Sequence, residues 1–187
     1  MTDCLLVIDI QNDYFPGGAH PLHEPEAAAD AASSVLARFR DRGAKVVHLQ
    51  HVWDADDATF MRPGTPGAEP HPKLTPVGGE PVVRKEWPNG FRDTELADVL
   101  RTSEVDELVV VGMMTSMCVD ATVRAACDLG YDVTVVADGC AAPDLEFAGR
   151  SVAAPDVQAA FLGALADGYA TVIDSKQWLA AAVTSDR

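Results

Sequence analysis

Three side chains able to share one piece of chemistry stand at the ends of apolar runs. Asp9 lies in Leu-Leu-Val-Ile-Asp-Ile-Gln-Asn-Asp-Tyr-Phe, Lys85 closes Pro-Val-Val-Arg-Lys, and Cys118 follows Val-Gly-Met-Met-Thr-Ser-Met. A carboxylate can take a thiol proton, an ammonium can hold the negative charge that moves, and the freed sulfur can attack a carbonyl carbon. Each residue alone has an ordinary explanation. An Asp ending a strand is often a turn former, a Lys there is often a solvated end, and a Cys among Met, Val and Ala is often a small core residue. Together they would open onto one crevice, because ligands of open α/β sheets bind outside the carboxyl ends of the strands.

The elements that must carry them are legible from period and punctuation. Short β-branched runs predict buried strands at Leu5–Ile10, Lys45–Val52, Pro81–Lys85, Glu107–Met113, Asp132–Gly139 and Ala170–Asp174. Helical period predicts helices at Glu24–Asp41, Thr94–Arg101, Ser116–Leu129, Pro155–Ala166 and Lys176–Val183, with glycine stops at Gly43, Gly130 and Gly168. Apolar strands alternating with helices give an α/β class: a three-layer, Rossmann-like fold with a mostly parallel six-stranded sheet covered on both faces. Residues 1–187 read as a single domain, interrupted by a Pro/Gly-rich excursion, Trp53–Glu80, that is either a surface loop or a pocket wall, lid or subunit contact. Thr115 or Ser116 would cap the helix that follows, placing Cys118 in its first turn. There the helix dipole, free N–H groups and a nearby Lys favour a thiolate.

Composition excludes several classes. The 187 residues carry 14 basic against 29 acidic side chains, a net charge of −15. Such a surface repels phosphate backbones and anionic lipid, so neither nucleic acid nor membrane is the expected partner. No run approaches the ~18 apolar residues of a membrane span, and the N-terminus has no signal-peptide pattern. The four cysteines (Cys4, Cys118, Cys127, Cys140) show no metal-finger or CxxC spacing. They are too sparse for a disulfide scaffold, which points to a reducing, cytoplasmic setting. Cys4, Cys127 and Cys140 read as structural. No resolving cysteine lies near Cys118 for a redox sensor, and the Gly-x-Ser-x-Gly, P-loop and GxGxxG motifs are absent from the sequence.

At this level of detail the chain resembles the isochorismatase-like cysteine hydrolases, the superfamily that includes nicotinamidases and N-carbamoylsarcosine amidase. The matching pieces are Leu6-Val-Ile-Asp9-Ile-Gln-Asn-Asp-Tyr-Phe15, Val82-Val-Arg-Lys85 with Asn89-Gly-Phe91, Val111-Gly-Met-Met-Thr-Ser-Met-Cys118-Val, and the continuation from Ala121 to Ala142. The resemblance implies Asp9, Lys85 and Cys118 as a catalytic triad, and a non-proline cis peptide just before Met114. It also implies an oxyanion hole made by the backbone N–H groups of Met114 and Cys118. It further implies hydrolysis of an amide- or ureide-type C–N bond of a small molecule through an acyl-cysteine, and a homodimer or homotetramer.

Departures from the family pattern sharpen this. Members that hydrolyse isochorismate's enol ether lack the cysteine, so an ether hydrolase is the lesser alternative, beside a non-catalytic interaction protein. Nicotinamidases carry an Asp-x-His-type metal site after the second strand, which Val47-His-Leu-Gln-His51-Val-Trp-Asp54 does not match. His48 and His51 also point to opposite faces of a strand. No metal and no other cofactor is therefore expected. Phe15, Trp53, Trp87 and Phe91 lie near the relevant strand ends, as pocket walls or as core or interface packing. Thr115 reads as a helix cap ahead of a substrate contact.

Overall fold

The computed structural model describes residues 2–185. Its apolar runs form β1 (Asp3–Ile8), β2 (Lys45–His51), β3 (Val82–Lys85), β4 (Glu107–Met113), β5 (Asp132–Ala141) and β8 (Thr171–Ile173). These make one sheet in the order β3-β2-β1-β4-β5-β8, and every neighbouring pair is parallel. The helices are α1 (Pro25–Asp41), α2 (Leu96–Thr102), α3 (Asp120–Asp128), α4 (Ala154–Gly168) and α5 (Ser175–Ser185). No helix among the described residues is long and apolar enough to cross a membrane.

Alternate residues of β1 feed two separate cores, which is why the strand is apolar throughout. Leu5 and Val7 pack with Ala32, Val35, Leu36 and Phe39 of α1 and Trp178 of α5. Cys4, Leu6 and Ile8 pack with Leu96 and Leu100 of α2, Val123 and Ala126 of α3 and Leu165 of α4. Chain order reverses between β1 and β4, so the ends of these two strands flank the crevice where an open α/β sheet binds its ligand. Gly112 is required at that seam, since a Cβ there would meet the Ile8 carbonyl oxygen at 2.5 Å.

Several local expectations are corrected. The helix expected from Ser116 begins as a single π turn over Thr115–Val119 before α3 starts, and no side chain caps it. Instead of capping, the buried Thr115 hydroxyl donates to Gln158 Oε1 at 2.7 Å. Gly43 and Gly130 stop their helices in the left-handed region (φ 63° and 94°), but Gly168 is only the last residue of α4, which ends on Tyr169 at φ −127°. Cys4 lies inside β1 rather than ahead of it. A hairpin of β6 (Leu145–Phe147) and β7 (Arg150–Val152) was not foreseen, because all six residues are exposed and no buried face gives it a pattern.

The excursion 53–80 is a packed flap. Met61, Ala68 and Leu74 are buried, and short 3₁₀ turns at Pro66–Ala68 and Pro72–Leu74 absorb the prolines. Its backbone is fastened to the segment that follows β1. Asn12 N–H donates to Glu69, His71 N–H to Ile10, and Met61 N–H to the Asp13 carboxylate.

Candidate active site

Asp9, Lys85 and Cys118 arrive at one point from three strands. Asp9 is the first residue past β1, held in the left-handed region (φ 49°), and its N–H donates to Leu49 on β2 at 3.1 Å. Lys85 ends β3, two strands away, and its long side chain crosses that gap. Cys118 sits in the π turn beyond β4, a wide turn of a kind frequent at functional sites. Lys85 Nζ lies 2.6 Å from Asp9 Oδ2 and donates to Cys118 Sγ at 3.3 Å and to the Trp87 carbonyl at 3.0 Å. All three residues are sealed, with exposures of 0, 2 and 3%. Asp9 Oδ1 has no hydrogen-bond partner although it is buried. Such an atom is costly unless something comes to occupy it. The Met113–Met114 peptide is cis, as the resemblance implied.

The electrostatics depart from the expected resting thiolate. Burial first, and then the Asp9 carboxylate, push the Cys118 thiol well above its ordinary range, against the pull of Lys85. Burial would lower Lys85, but Asp9 and Cys118 outweigh it and hold the ammonium above its usual value. The favourable position in the turn is thus overridden by burial and, after it, by a carboxylate in the same sealed space. Both directions favour a protonated thiol and a charged ammonium in the resting cluster.

His51, the last residue of β2, is a member of the site that spacing alone did not disclose. It pairs in register with Lys85, so both side chains leave the sheet on the same face, and its Nδ1 lies 3.2 Å from Lys85 Nζ. Its signal was its place: a polar residue ending a strand beside the strand that ends in Lys85. The buried Gln11 holds it by both backbone groups, accepting from His51 N–H at 2.8 Å and donating to its carbonyl at 2.8 Å. Asp9, His51 and Cys118 form the one group among the described residues whose donor atoms, within 4.8 Å of one another, could hold a metal ion. Lys85 Nζ lies within 3.3 Å of an atom of each of the three and already occupies the cation's place in that set. The remaining histidines are engaged elsewhere or at the surface. His48 bonds Glu80 on the opposite face of β2, His71 stacks on Phe15, His20 stacks on Phe60, and His23 is exposed.

The suggested pocket walls scatter. Phe15 is buried and stacked on His71, Trp53 meets Phe60 edge-on, and Phe91 stacks on Tyr131 beside the core under α2 and α3. Trp87 reaches the site through its carbonyl, while its half-exposed ring lies under the Arg92 guanidinium. A cleft of about 510 Å³, lined by Val52, Pro63, Lys85, Glu86 and Trp87 among others, opens beside the cluster. A larger hollow of about 960 Å³ lies at the opposite, amino ends of the strands and includes Asp3, Glu107 and Asp132.

Comparison with known proteins identifies the family. A family model described as the isochorismatase domain matches residues 3–177. The chain is 46% identical to the isochorismatase family protein YddQ of Bacillus subtilis, over 96% of this chain and 99% of that one. It is 33% identical to the nicotinamidase of Escherichia coli, over 73% of this chain and 81% of that one. A crystal structure described as an isochorismatase hydrolase of Oleispira antarctica superposes with a TM-score of 0.93 at 47% identity, covering 96% of each chain.

Proposed function

The chain belongs to the isochorismatase family and is a hydrolase, and from that premise we propose that it cleaves an amide- or ureide-type C–N bond of a small molecule through an acyl-Cys118 thioester. One observation carries the reading: a thiol, an ammonium and a carboxylate with one unpartnered oxygen share a single sealed cluster. Asp9 accepts the thiol proton, and Sγ forms its bond to the substrate's carbonyl carbon as the π pair moves onto oxygen. The N–H groups of Met114 and Cys118 receive that oxyanion. Collapse breaks the C–N bond while Asp9 returns its proton to the departing nitrogen. Water then loses a proton to Asp9, attacks the thioester and releases the acid, and the thiol regains its proton. Lys85 suits both halves of the cycle because the negative charge passes from Asp9 to the sulfur on its way to the oxyanion, and both of those groups are within its reach.

The test is release of ammonia or amine from a panel of small amides and ureides, with mass spectrometry of the quenched enzyme. Wild-type protein is expected to turn over at least one member and to carry the acyl mass on the peptide containing Cys118. Cys118→Ala is expected to lose turnover while keeping its circular dichroism. Turnover that survives Cys118→Ala ends the proposal.

A further inference from the structure

Resting on that reading, we propose that His51 is a substrate-binding residue: its Nε2–H donates a hydrogen bond to an uncharged acceptor oxygen in the acyl part of the amide, such as a second carbonyl. The argument begins with a proton count. Lys85 Nζ, as an ammonium, has hydrogens and no lone pair, so at 3.2 Å His51 Nδ1 can only accept. A protonated imidazole would turn an N–H toward that ammonium. The ring is therefore neutral, and its single hydrogen sits on Nε2. Burial and then Lys85 depress the basicity of this histidine, in the same direction, against a smaller contrary pull from Asp9.

The Nε2–H so fixed has no hydrogen-bond partner, and unlike Asp9 Oδ1 it is not closed off from solvent. It belongs to a residue whose backbone Gln11 clamps on both sides and whose ring reaches within 4.8 Å of the Cys118 sulfur. An acyl group bound to that sulfur lies within reach of this ring. With its only proton on the outward nitrogen and its lone pair committed to Lys85, the ring cannot serve as a base; it can only donate. A chain of net charge −15, with the Asp9 side chain already in the cluster, suits an uncharged acceptor better than a second carboxylate.

The experiment uses two matched pairs of primary amides, acetoacetamide against isovaleramide and levulinamide against 4-methylpentanamide, which differ in the ketone oxygen. In ¹⁵N-histidine-labelled Cys118→Ala protein, NMR is expected to show His51 neutral with its proton on Nε2 from pH 6 to 8. That resonance should move with at least one keto amide and with neither hydrocarbon amide. In wild-type enzyme the matching keto amide should be preferred about tenfold or more in kcat/KM. His51→Asn, which keeps an acceptor for Lys85 but removes the outward donor, should cut the preference to about twofold, mostly through KM. His51→Gln, whose amide nitrogen reaches the Nε2 position, should restore part of it. A proton on Nδ1, a charged ring, equal shifts with both members of each pair, or no shift with any of them overturns the proposal. Failure of the hydrolase reading shows separately, as absence of ammonia release from every amide, and leaves the binding result to stand or fall by the NMR alone.

Discussion

Two ionic clusters of similar composition lie at opposite ends of the short β2–β3 ladder. At its start, Glu80 meets the Arg40 guanidinium through both oxygens (2.7 and 2.8 Å), accepts from Val77 N–H at 3.0 Å, and lies 2.9 Å from His48 Nε2. At its end, Asp9 meets Lys85, with His51 alongside, and one of its oxygens has no partner. Each is a carboxylate, a cation and a histidine. The first is saturated, and its carboxyl is held down to about 2, despite burial, by Arg40, Val77 N–H and His48. It fastens the end of the flap to α1 and β2. The second is left one donor short beside a thiol. What separates a fastening from a reactive site here is the number of donors per carboxylate oxygen, rather than the kinds of residue present.

The contrast can be broken most forcefully at Lys85. Lys85→Met strands Asp9 as a buried, uncompensated charge, and both activity and about 3–5 kcal/mol of stability should disappear, as read by denaturant unfolding. Asp9→Asn removes the proposed proton acceptor but leaves Lys85 beside the sulfur. Turnover should fall by about 10³-fold or more, while the pH midpoint for alkylation of Cys118 moves downward, because the carboxylate that was raising it is gone. A midpoint that stays or rises would contradict the charge arrangement described here.

At the saturated cluster the outcome should reverse. Glu80→Gln is expected to cost about 2 kcal/mol of stability while kcat/KM stays within about twofold. Because the folded carboxyl titrates near 2 against an ordinary 4.5, Glu80 stabilises the protein fully above 4.5, and that contribution is lost as pH falls from there toward 2. The variant should therefore lack that part of the acid-induced drop in Tm. Smallest of all, Phe147→Ser in the exposed hairpin should change stability by less than about 0.5 kcal/mol, since that ring is 84% exposed.

Much of this was legible in the chain itself, for identifiable reasons. Strands buried on both faces announce themselves as continuous apolar runs, so all six sheet strands stood out, and with them the ends where Asp9, Lys85 and Cys118 lie. His51 was hidden because its meaning comes from the register of β2 against β3, which no local pattern encodes. The π turn was read as ordinary helix because a side chain able to cap a helix, Thr115, was already committed to Gln158 on a distant helix. The thiolate expectation failed for a related reason. Position in a turn is local, whereas the carboxylate that opposes ionisation comes from another strand. The flap's prolines concealed its anchoring, which depends on Asp13 and Gln11 reaching across from the segment after β1.

The order of strands in the sheet also bears on how the protein is made. Asp9, His51 and Lys85 are all translated before Cys118, and Lys85 alone precedes it by 33 residues. The strand that delivers the cysteine, β4, is an interior strand whose other neighbour, β5, is translated later still. A growing chain on the ribosome therefore holds Asp9, His51 and Lys85 before the thiol they surround. When the cysteine emerges, it is an ordinary thiol without these neighbours until β4 docks beside β1. The cluster is thus a property of completed folding, and products truncated before residue 118 lack its thiol.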